Sequence, residues 1–447
     1  MKKQPSLSRR DFLKRFGITT ASAAAMTAMG PISALAQETN APVNANANAK
    51  MTRRKNPNTK DKVSLLGYGM MRMPERDHQI DQEMVNAEVD YALAHGVNYF
   101  DTAPVYSGGR NEGATGKALS RHPRDSYFVA TKLSNFGEER STDPARSLEK
   151  AKEMYRNSMK ELQVDYIDYY LLHSVGGEEA FQKRFVVDGV MDFLLEERKA
   201  GRIRNLGFSF HGNGEGIDYM MSQHEKYHWD FVQIQMNYLE WQNAGTVNRG
   251  ATNAEYLYNA ITAKKIPVVV MEPLLGGRLT KLPTSYAEQL RALRPDDSMA
   301  AWAFRFVGSR PGVMTVLSGM TKMEHLEENV RTFSPLQALS SKEEEALQGI
   351  AELTAKYPLV PCTACAYCMP CEQGVDIPGN FAAYNQGVND GLLSDPAKFM
   401  ELYRSRLDAE AFSTKCTGCR KCLEKCPQHI RIPSQLNRIT RIIKEQA

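Results

Sequence analysis

From residue 63 onward, short β-rich apolar runs alternate with longer stretches whose apolar residues recur at helical spacing. The runs predict strands over residues 63–70, 97–101, 127–132, 166–173, 204–209, 231–237, 266–272 and 313–319. Residues 80–95, 144–162 and 298–307 carry a helical period between them, and His95-Gly96 is a stop signal ahead of the second strand. From Asp101 onward, with Ser318 closing the last strand, successive strand ends lie 31, 41, 36, 28, 35 and 46 residues apart. That spacing suits βα units of about 30 residues or more. Eight such units predict an α/β fold, a closed (β/α)8 barrel, over residues 61–340. An open doubly wound sheet would want a G-x-G-x-x-G turn after its first strand, and Gly67 and Gly69 do not continue into one.

The pattern changes after residue 340. All 8 cysteines fall at or beyond Cys362, which points to a metal site rather than to disulfides. Cys362, Cys365, Cys368 and Cys371 form C-x2-C-x2-C-x2-C; Cys416, Cys419, Cys422 and Cys426 form C-x2-C-x2-C-x3-C followed by Pro427. Three thiolates at this spacing can cap three irons of a cubane, with the fourth lent to a second cluster. The expected ligand sets are Cys362, Cys365 and Cys368 with Cys426, and Cys416, Cys419 and Cys422 with Cys371. Structural zinc is the competing reading of paired C-x2-C motifs, though it suits a fourfold ladder less well. Each motif is trailed by a similar tail, Val375-Asp376-Ile377-Pro378 and Ile430-Arg431-Ile432-Pro433, which suggests an internal duplication. Phe399, Leu402, Tyr403 and Leu407 keep a helical period between the motifs. Residues 341–447 therefore read as an all-α, two-cluster ferredoxin-like domain.

In barrel enzymes the chemistry sits at the C-terminal ends of the strands. Here those ends are Asp101, Lys132, His173, Ser209, Asn237, Glu272 and Ser318. A lysine and a histidine ending apolar strands fit a rim better than a packed core, and there they can meet Asp101 and the nearby Tyr106. A tyrosine, with an ordinary pKa of ~10, is a weak acid at neutral pH, and a neighbouring ammonium favours its phenolate. Asp101 would hold Lys132, while His173 could donate a hydrogen bond to a carbonyl oxygen as charge develops on it. A structural Asp–Lys pair beside a satisfied histidine is the other reading of the same spacing.

The stretch Asn98-Tyr99-Phe100-Asp101-Thr102-Ala103 with Tyr106 and Gly109, then Ala130-Thr131-Lys132, then Leu171-Leu172-His173, resembles the Asp, Tyr, Lys and His segments of the aldo/keto reductases, a TIM-barrel family. The resemblance runs in order from about residue 61 to 335. It implies that Tyr106 is the general acid, that Lys132 and Asp101 tune it, and that His173 orients a carbonyl or alcohol substrate beside NADP(H) or NAD(H). It also implies that Ser209 and Gln233 contact the carboxamide, and that Ser318, Gly319 and the run holding Glu328 and Asn329 form the adenosine-side segment. Phe210 stands where many members have Asn, and Met271 where a ring commonly stacks on the nicotinamide. Gly319 and His325 replace a Lys and an Arg that bind the 2′-phosphate in many members, with Lys322 as a possible substitute.

At 42% hydrophobic and 24% charged residues the composition is globular, and with the charges interspersed a formal net charge of +4 gives no stripe for nucleic acid. Ser8-Arg9-Arg10-Asp11-Phe12-Leu13-Lys14, an apolar run over 16–29 and Ala34-Leu35-Ala36 resemble a twin-arginine export signal cleaved after Ala36. The apolar run is shorter than the roughly 20 residues a spanning helix needs, so no membrane span is expected in the mature chain, although an uncleaved anchor is the alternative. Residues 1–36 are then signal, handled by the twin-arginine translocation (Tat) export machinery, and the Asn- and Ala-rich stretch 37–60 reads as linker. Together these features predict a periplasmic oxidoreductase with two [4Fe-4S] clusters, exchanging electrons with a redox partner protein or a quinone. A non-catalytic electron-transfer or redox-sensing protein is the second class. A hydride carries two electrons and a cubane passes one, so an intermediary such as a flavin is called for, yet no flavin motif is visible.

Overall fold

The computed structural model describes residues 51–136, 143–247, 250–362, 364, 366, 368–426 and 430–444. The expected export signal with its step after Ala36, and the expected ligand Cys365, lie outside the described residues.

Eight parallel strands close into a barrel in sequence order. They are β1 (Leu66–Gly69), β2 (Tyr99–Asp101), β3 (Phe128–Leu133), β4 (Ile167–Val175), β5 (Ile203–Phe210), β6 (Phe231–Gln235), β7 (Val268–Met271) and β8 (Val313–Ser318). Each is followed by at least one helix, among them α1 (Gln82–Ala94), α2 (Asn111–Leu119), α3 (Pro144–Leu162), α4 (Val190–Lys199), α5 (Gly214–Ser222), α6 (Ala254–Ala263), α7 (Met299–Gly308) and α8 (Met323–Thr332). Strands covered by helices outside and side chains inside are buried on both faces, hence their near-continuous apolar runs. The interior is filled by Tyr99, Ala130, Tyr169, Leu171, Phe231, Val269, Met314 and Leu317. The helices are bounded by local chemistry. Asp143 accepts from the Ala145 amide with Pro144 opening α3, and Gln163 stops that helix in a left-handed conformation at φ 57°.

Two expectations about the N-terminal side change. The predicted strand 63–70 is two elements: residues Lys62–Ser64 fold back antiparallel on Arg53–Lys55, with Arg53 opposite Ser64, and only β1 enters the barrel. The stretch 51–60, grouped with the linker on composition, belongs to the fold. Met51 is buried, and the fully buried Asn56 donates from Nδ2 to Tyr169 Oη at 3.3 Å and Asn205 Oδ1 at 3.0 Å. Polar composition misled because a buried amide is tolerated once hydrogen-bonded.

A second difference lies at the domain boundary. Helix α9 (Ser341–Lys356) opens with a capping box between Ser340 and Glu343 and buries Leu347, Ile350 and Ala351 in the barrel's own core. The barrel layer therefore extends to Lys356 rather than ending at 340. Beyond it the chain is all-α: α10 (Ile377–Asn389), α11 (Pro396–Arg406) and α12 (Ile432–Lys444) surround a separate core that includes Phe381, Tyr384, Phe399, Tyr403, Leu436 and Ile439. The duplicated tails have matching roles, since Ile377-Pro378 and Ile432-Pro433 each open a helix. Among the described residues no helix is long and apolar enough to cross a membrane.

Candidate active site and cluster ligands

Strand register sets the level of the site. Asp101 at the end of β2 lies opposite Ala130 of β3, Lys132 opposite Leu171 of β4, and Ser209 of β5 opposite Gln233 of β6. Closing the barrel thus gathers residues more than a hundred positions apart into one ring at its C-terminal mouth.

Lys132 Nζ donates to Asp101 Oδ1 at 2.5 Å and to the Thr102 carbonyl at 2.7 Å, with both side chains almost wholly buried. Burial works against the ammonium, but the Asp101 carboxylate and Tyr106 outweigh it and hold the lysine above its ordinary range. Tyr106 sits in the tight turn after β2, its ring centroid 4.9 Å from Lys132 Nζ. The Tyr106 and His173 rings meet edge-on, 6.0 Å apart at 86°. Asp101, Tyr106, Lys132 and His173 are therefore brought together in a single chain of contacts.

Sequence reasoning missed the groups that hold His173. Ser134 Oγ lies 2.6 Å from His173 Nδ1. Arg184 donates to the His173 carbonyl at 2.7 Å, the Ser174 carbonyl at 2.9 Å and Asn135 Oδ1 at 3.1 Å, and its guanidinium lies over the Phe136 and Phe185 rings. Burial, followed by the Lys132, Arg184 and His211 charges, pushes the imidazole down to about 2, so His173 is neutral across the working pH range. Its one ring proton lies on a single nitrogen, and a Ser134 hydroxyl donating to Nδ1 leaves that proton on Nε2.

The residues expected to hold a nicotinamide cofactor form two groups. Ser209 Oγ accepts from the Ser174 amide at 2.8 Å, and beside it the buried Gln233 has Oε1 without a hydrogen-bond partner. A hydroxyl with its proton to give and an amide oxygen without a partner suit a carboxamide, which both donates and accepts. At the end of β8, Ser318 Oγ accepts from Asn329 Nδ2 at 3.0 Å, and Glu328 Oε1 is buried without a partner. Gly319 follows, and the exposed Lys322 stands at the head of α8. The donor set fits the cofactor. Behind this segment lies another pair that the sequence did not reveal. The Tyr68 hydroxyl is 2.5 Å from Glu88 Oε2 and 2.8 Å from the Met320 carbonyl, and burial, reinforced by Asp81 and Glu324, pushes Glu88 up to about 7.

In the C-terminal domain Cys368, Cys371, Cys416, Cys419 and Cys422 line one cavity of about 60 Å³. Cys368 and Cys371 of the first motif thus both share a chamber with the second motif, while Cys362 and Cys426 do not line it. Among the described residues no three His, Cys, Asp or Glu side chains converge on a single ion. A cubane's thiolates each cap a different iron. The backbone between the cysteines turns alike in both motifs: Ala364 and Ala366 have φ 54° and 60°, and Gly418 and Arg420 have φ 74° and 67°. These are the second and fourth residues after the first cysteine of each motif. Left-handed residues at such steps curl a loop around a central group. The thiolate-rich chamber and its curled loops fit a cluster.

Residues 65–352 match the aldo/keto reductase family, and residues 361–432 match a 4Fe-4S dicluster domain. An uncharacterized oxidoreductase of Bacillus subtilis (strain 168) is 25% identical over 311 residues, covering 64% of this chain and 92% of the relative. L-galactose dehydrogenase of Arabidopsis thaliana is 24% identical over 304 residues, covering 64% and 89%. Among solved structures, the holo form of aldo-keto reductase AKR11C1 from Bacillus halodurans is similar, with TM-score 0.53, 25% identity and coverage of 67% of this chain and 96% of that one. With the barrel, the strand-end site and the family match in agreement, the chain belongs to the aldo/keto reductase family and carries a 4Fe-4S dicluster domain behind its barrel.

Proposed function

We propose that the barrel mouth reduces a small carbonyl compound, or oxidises the corresponding alcohol, in an exported protein whose eight cysteines hold two [4Fe-4S] clusters. The observation that carries this reading is the placing of Tyr106 between a buried ammonium fixed by Asp101 and a neutral His173. Tyr106 gives its hydroxyl proton to the carbonyl oxygen, and Lys132 stabilises the charge left behind. His173 donates to the same oxygen and holds it in place. NADP(H) or NAD(H), when bound, supplies the hydride. Ser209 and Gln233 hold the carboxamide end, while Ser318, Gly319, Lys322, Glu328 and Asn329 hold the adenosine end. The cluster domain supports exchange with a one-electron redox partner protein or a quinone. The Arg9-Arg10 pair supports twin-arginine export to the periplasm, with cleavage after Ala36.

The test is comparative and anaerobic. Tyr106→Phe deletes one hydroxyl and leaves the ring, so nicotinamide binding should persist while reduction of aldehydes or quinones falls by roughly 10² to 10⁴. If the parent protein reduces nothing, or the variant matches it, the site is a relic in an electron-transfer or sensing protein. For export, Arg9→Lys with Arg10→Lys should trap precursor in the cytoplasm, and normal periplasmic accumulation would reject that route.

A further inference from the structure

The two cysteine motifs share a backbone pattern but differ sharply in charge. Residues 360–376, around the first motif, contain no Lys or Arg and two acids, Glu372 and Asp376. Residues 415–431, around the second, contain five cations, Lys415, Arg420, Lys421, Lys425 and Arg431, against the single Glu424. All five cations are exposed. Lys421 pairs with Glu372 at 2.7 Å and Lys415 with Glu410 at 2.8 Å; counting those two acids and Glu424 against the five cations, the face keeps two net positive charges at long range. Cys419, in the middle of the rim, is exposed, whereas the other described cysteines are half-buried. The first motif begins six residues after α9, the helix seated on the barrel, so a chain reach of about 3.5 Å per residue tethers Cys362 within about 20 Å of that helix.

We propose that the basic rim around Cys419 is the docking port for an acidic one-electron carrier protein, with the first motif on the barrel side. This rests on the two-cluster reading above. Complementary charge steers such a carrier to the face where, among the described cysteines, Cys419 is exposed. In each encounter one electron leaves the carrier's reduced centre and enters the cluster held by Cys416, Cys419 and Cys422. The carrier is oxidised by one electron, the cluster is reduced by one, and no bond is made or broken. Two encounters load the two clusters with one electron each, and an oxidised carrier runs the same transfer outward.

The test uses the full cluster-loaded chain and, as probe, a strongly acidic [2Fe-2S] ferredoxin reduced beforehand. Stopped-flow spectroscopy measures its electron transfer, and anisotropy of the labelled probe measures binding, each across ionic strength. The parent should show rates that fall steeply with salt. Arg420→Glu with Lys421→Glu and Lys425→Glu should slow transfer and weaken binding by about 10-fold or more and flatten the salt dependence. Lys398→Glu, an exposed charge on α11, should change both by less than about 2-fold at the same salt. Iron, sulfide and the cluster electron paramagnetic resonance must match the parent. If the triple variant loses iron, the milder Gln series replaces it with the same expected direction. A parent rate indifferent to salt, or a triple variant equal to the parent, overturns the proposal. So does release of the triple variant from anionic phospholipid vesicles that bind the parent, with ferredoxin transfer unchanged, since the rim would then be a membrane contact. Nicotinamide-driven carbonyl reduction should be the same in parent and triple variant, which keeps a failure of the port distinct from a failure of the barrel chemistry.

Discussion

Ser134 Oγ lies 2.6 Å from His173 Nδ1, so the hydroxyl two residues beyond Lys132 fixes the imidazole that lies edge-on to Tyr106. Neighbouring strands β3 and β4 thereby place the cation and the neutral hydrogen-bond donor by one shared piece of backbone.

Ser134→Ala should leave folding nearly intact, at a cost of about 1 kcal/mol for one hydrogen bond, and lower kcat for carbonyl reduction while nicotinamide affinity is unchanged. Arg184→Met should act differently. Removing a cation near His173 lets its pKa move up from about 2, which an NMR titration of the imidazole carbon protons would detect. An imidazole that titrates as in the parent would remove Arg184 from this role.

Lys132→Met should cost more than activity. It leaves the Asp101 carboxylate buried without its ion-pair partner, a loss of about 3–5 kcal/mol in chemical denaturation. Lys132→Met combined with Asp101→Asn should recover much of that stability and none of the carbonyl reduction. Recovery of activity in the double variant would contradict the role given to the ammonium.

Glu88 gives a pH signature. Its carboxyl is held at about 7 when folded, against 4.5 ordinarily, so between these values the native state binds more protons than the unfolded chain. Stability should therefore fall as pH rises from 4.5 to 7, by about 3 kcal/mol in all at ~1.4 kcal/mol per unit, and then level off. Glu88→Gln should remove that slope. His173 has the opposite sign: held at about 2, it makes acid destabilising below about 6.5, where the unfolded chain takes up the extra proton. Urea titrations from pH 5 to 8 on parent, Glu88→Gln and His173→Asn separate the two. Parallel parent and Glu88→Gln curves would rule out the carboxyl as the source.

Anaerobically prepared protein should contain about eight irons and eight sulfides per chain. On the proposed ligand sets, Cys371→Ser should disturb the cluster assigned to Cys416, Cys419 and Cys422, and Cys426→Ser the other. Spectral loss in the reverse order would exchange the fourth ligands. Stoichiometric zinc without sulfide would replace the cluster reading altogether.

The barrel was legible because its strands read as apolar runs, and Asp101, Lys132 and His173 announced themselves as the polar groups at or near their ends. Ser134 and Glu88 did not. A serine in a loop and a glutamate in an amphipathic helix look like solvated residues until barrel closure brings His173 and Tyr68 against them. Arg184 lies in a short π-helical turn over Gln182–Val186, an irregularity with no sequence period to read. Residues 53–64 were hidden for a related reason, since Asn56 finds its partners on β4 and β5, far along the chain. The start of α9 was visible in its Ser340 cap, but which side of the boundary it packs on is decided by Leu347 and Ile350 meeting a core built from distant strands.

That last helix bears on how such chains are put together and taken apart. A break at residue 340 would strip the barrel of the wall provided by Leu347 and Ile350, each worth about 1.5–3 kcal/mol of burial, and leave an apolar strip hanging from the cluster domain. A recombination joint after Lys356 keeps that wall with the barrel. By the packing of that helix, the seam between barrel and cluster domain is expected in the short run from Tyr357 to Pro361, one helix later than composition alone would place it.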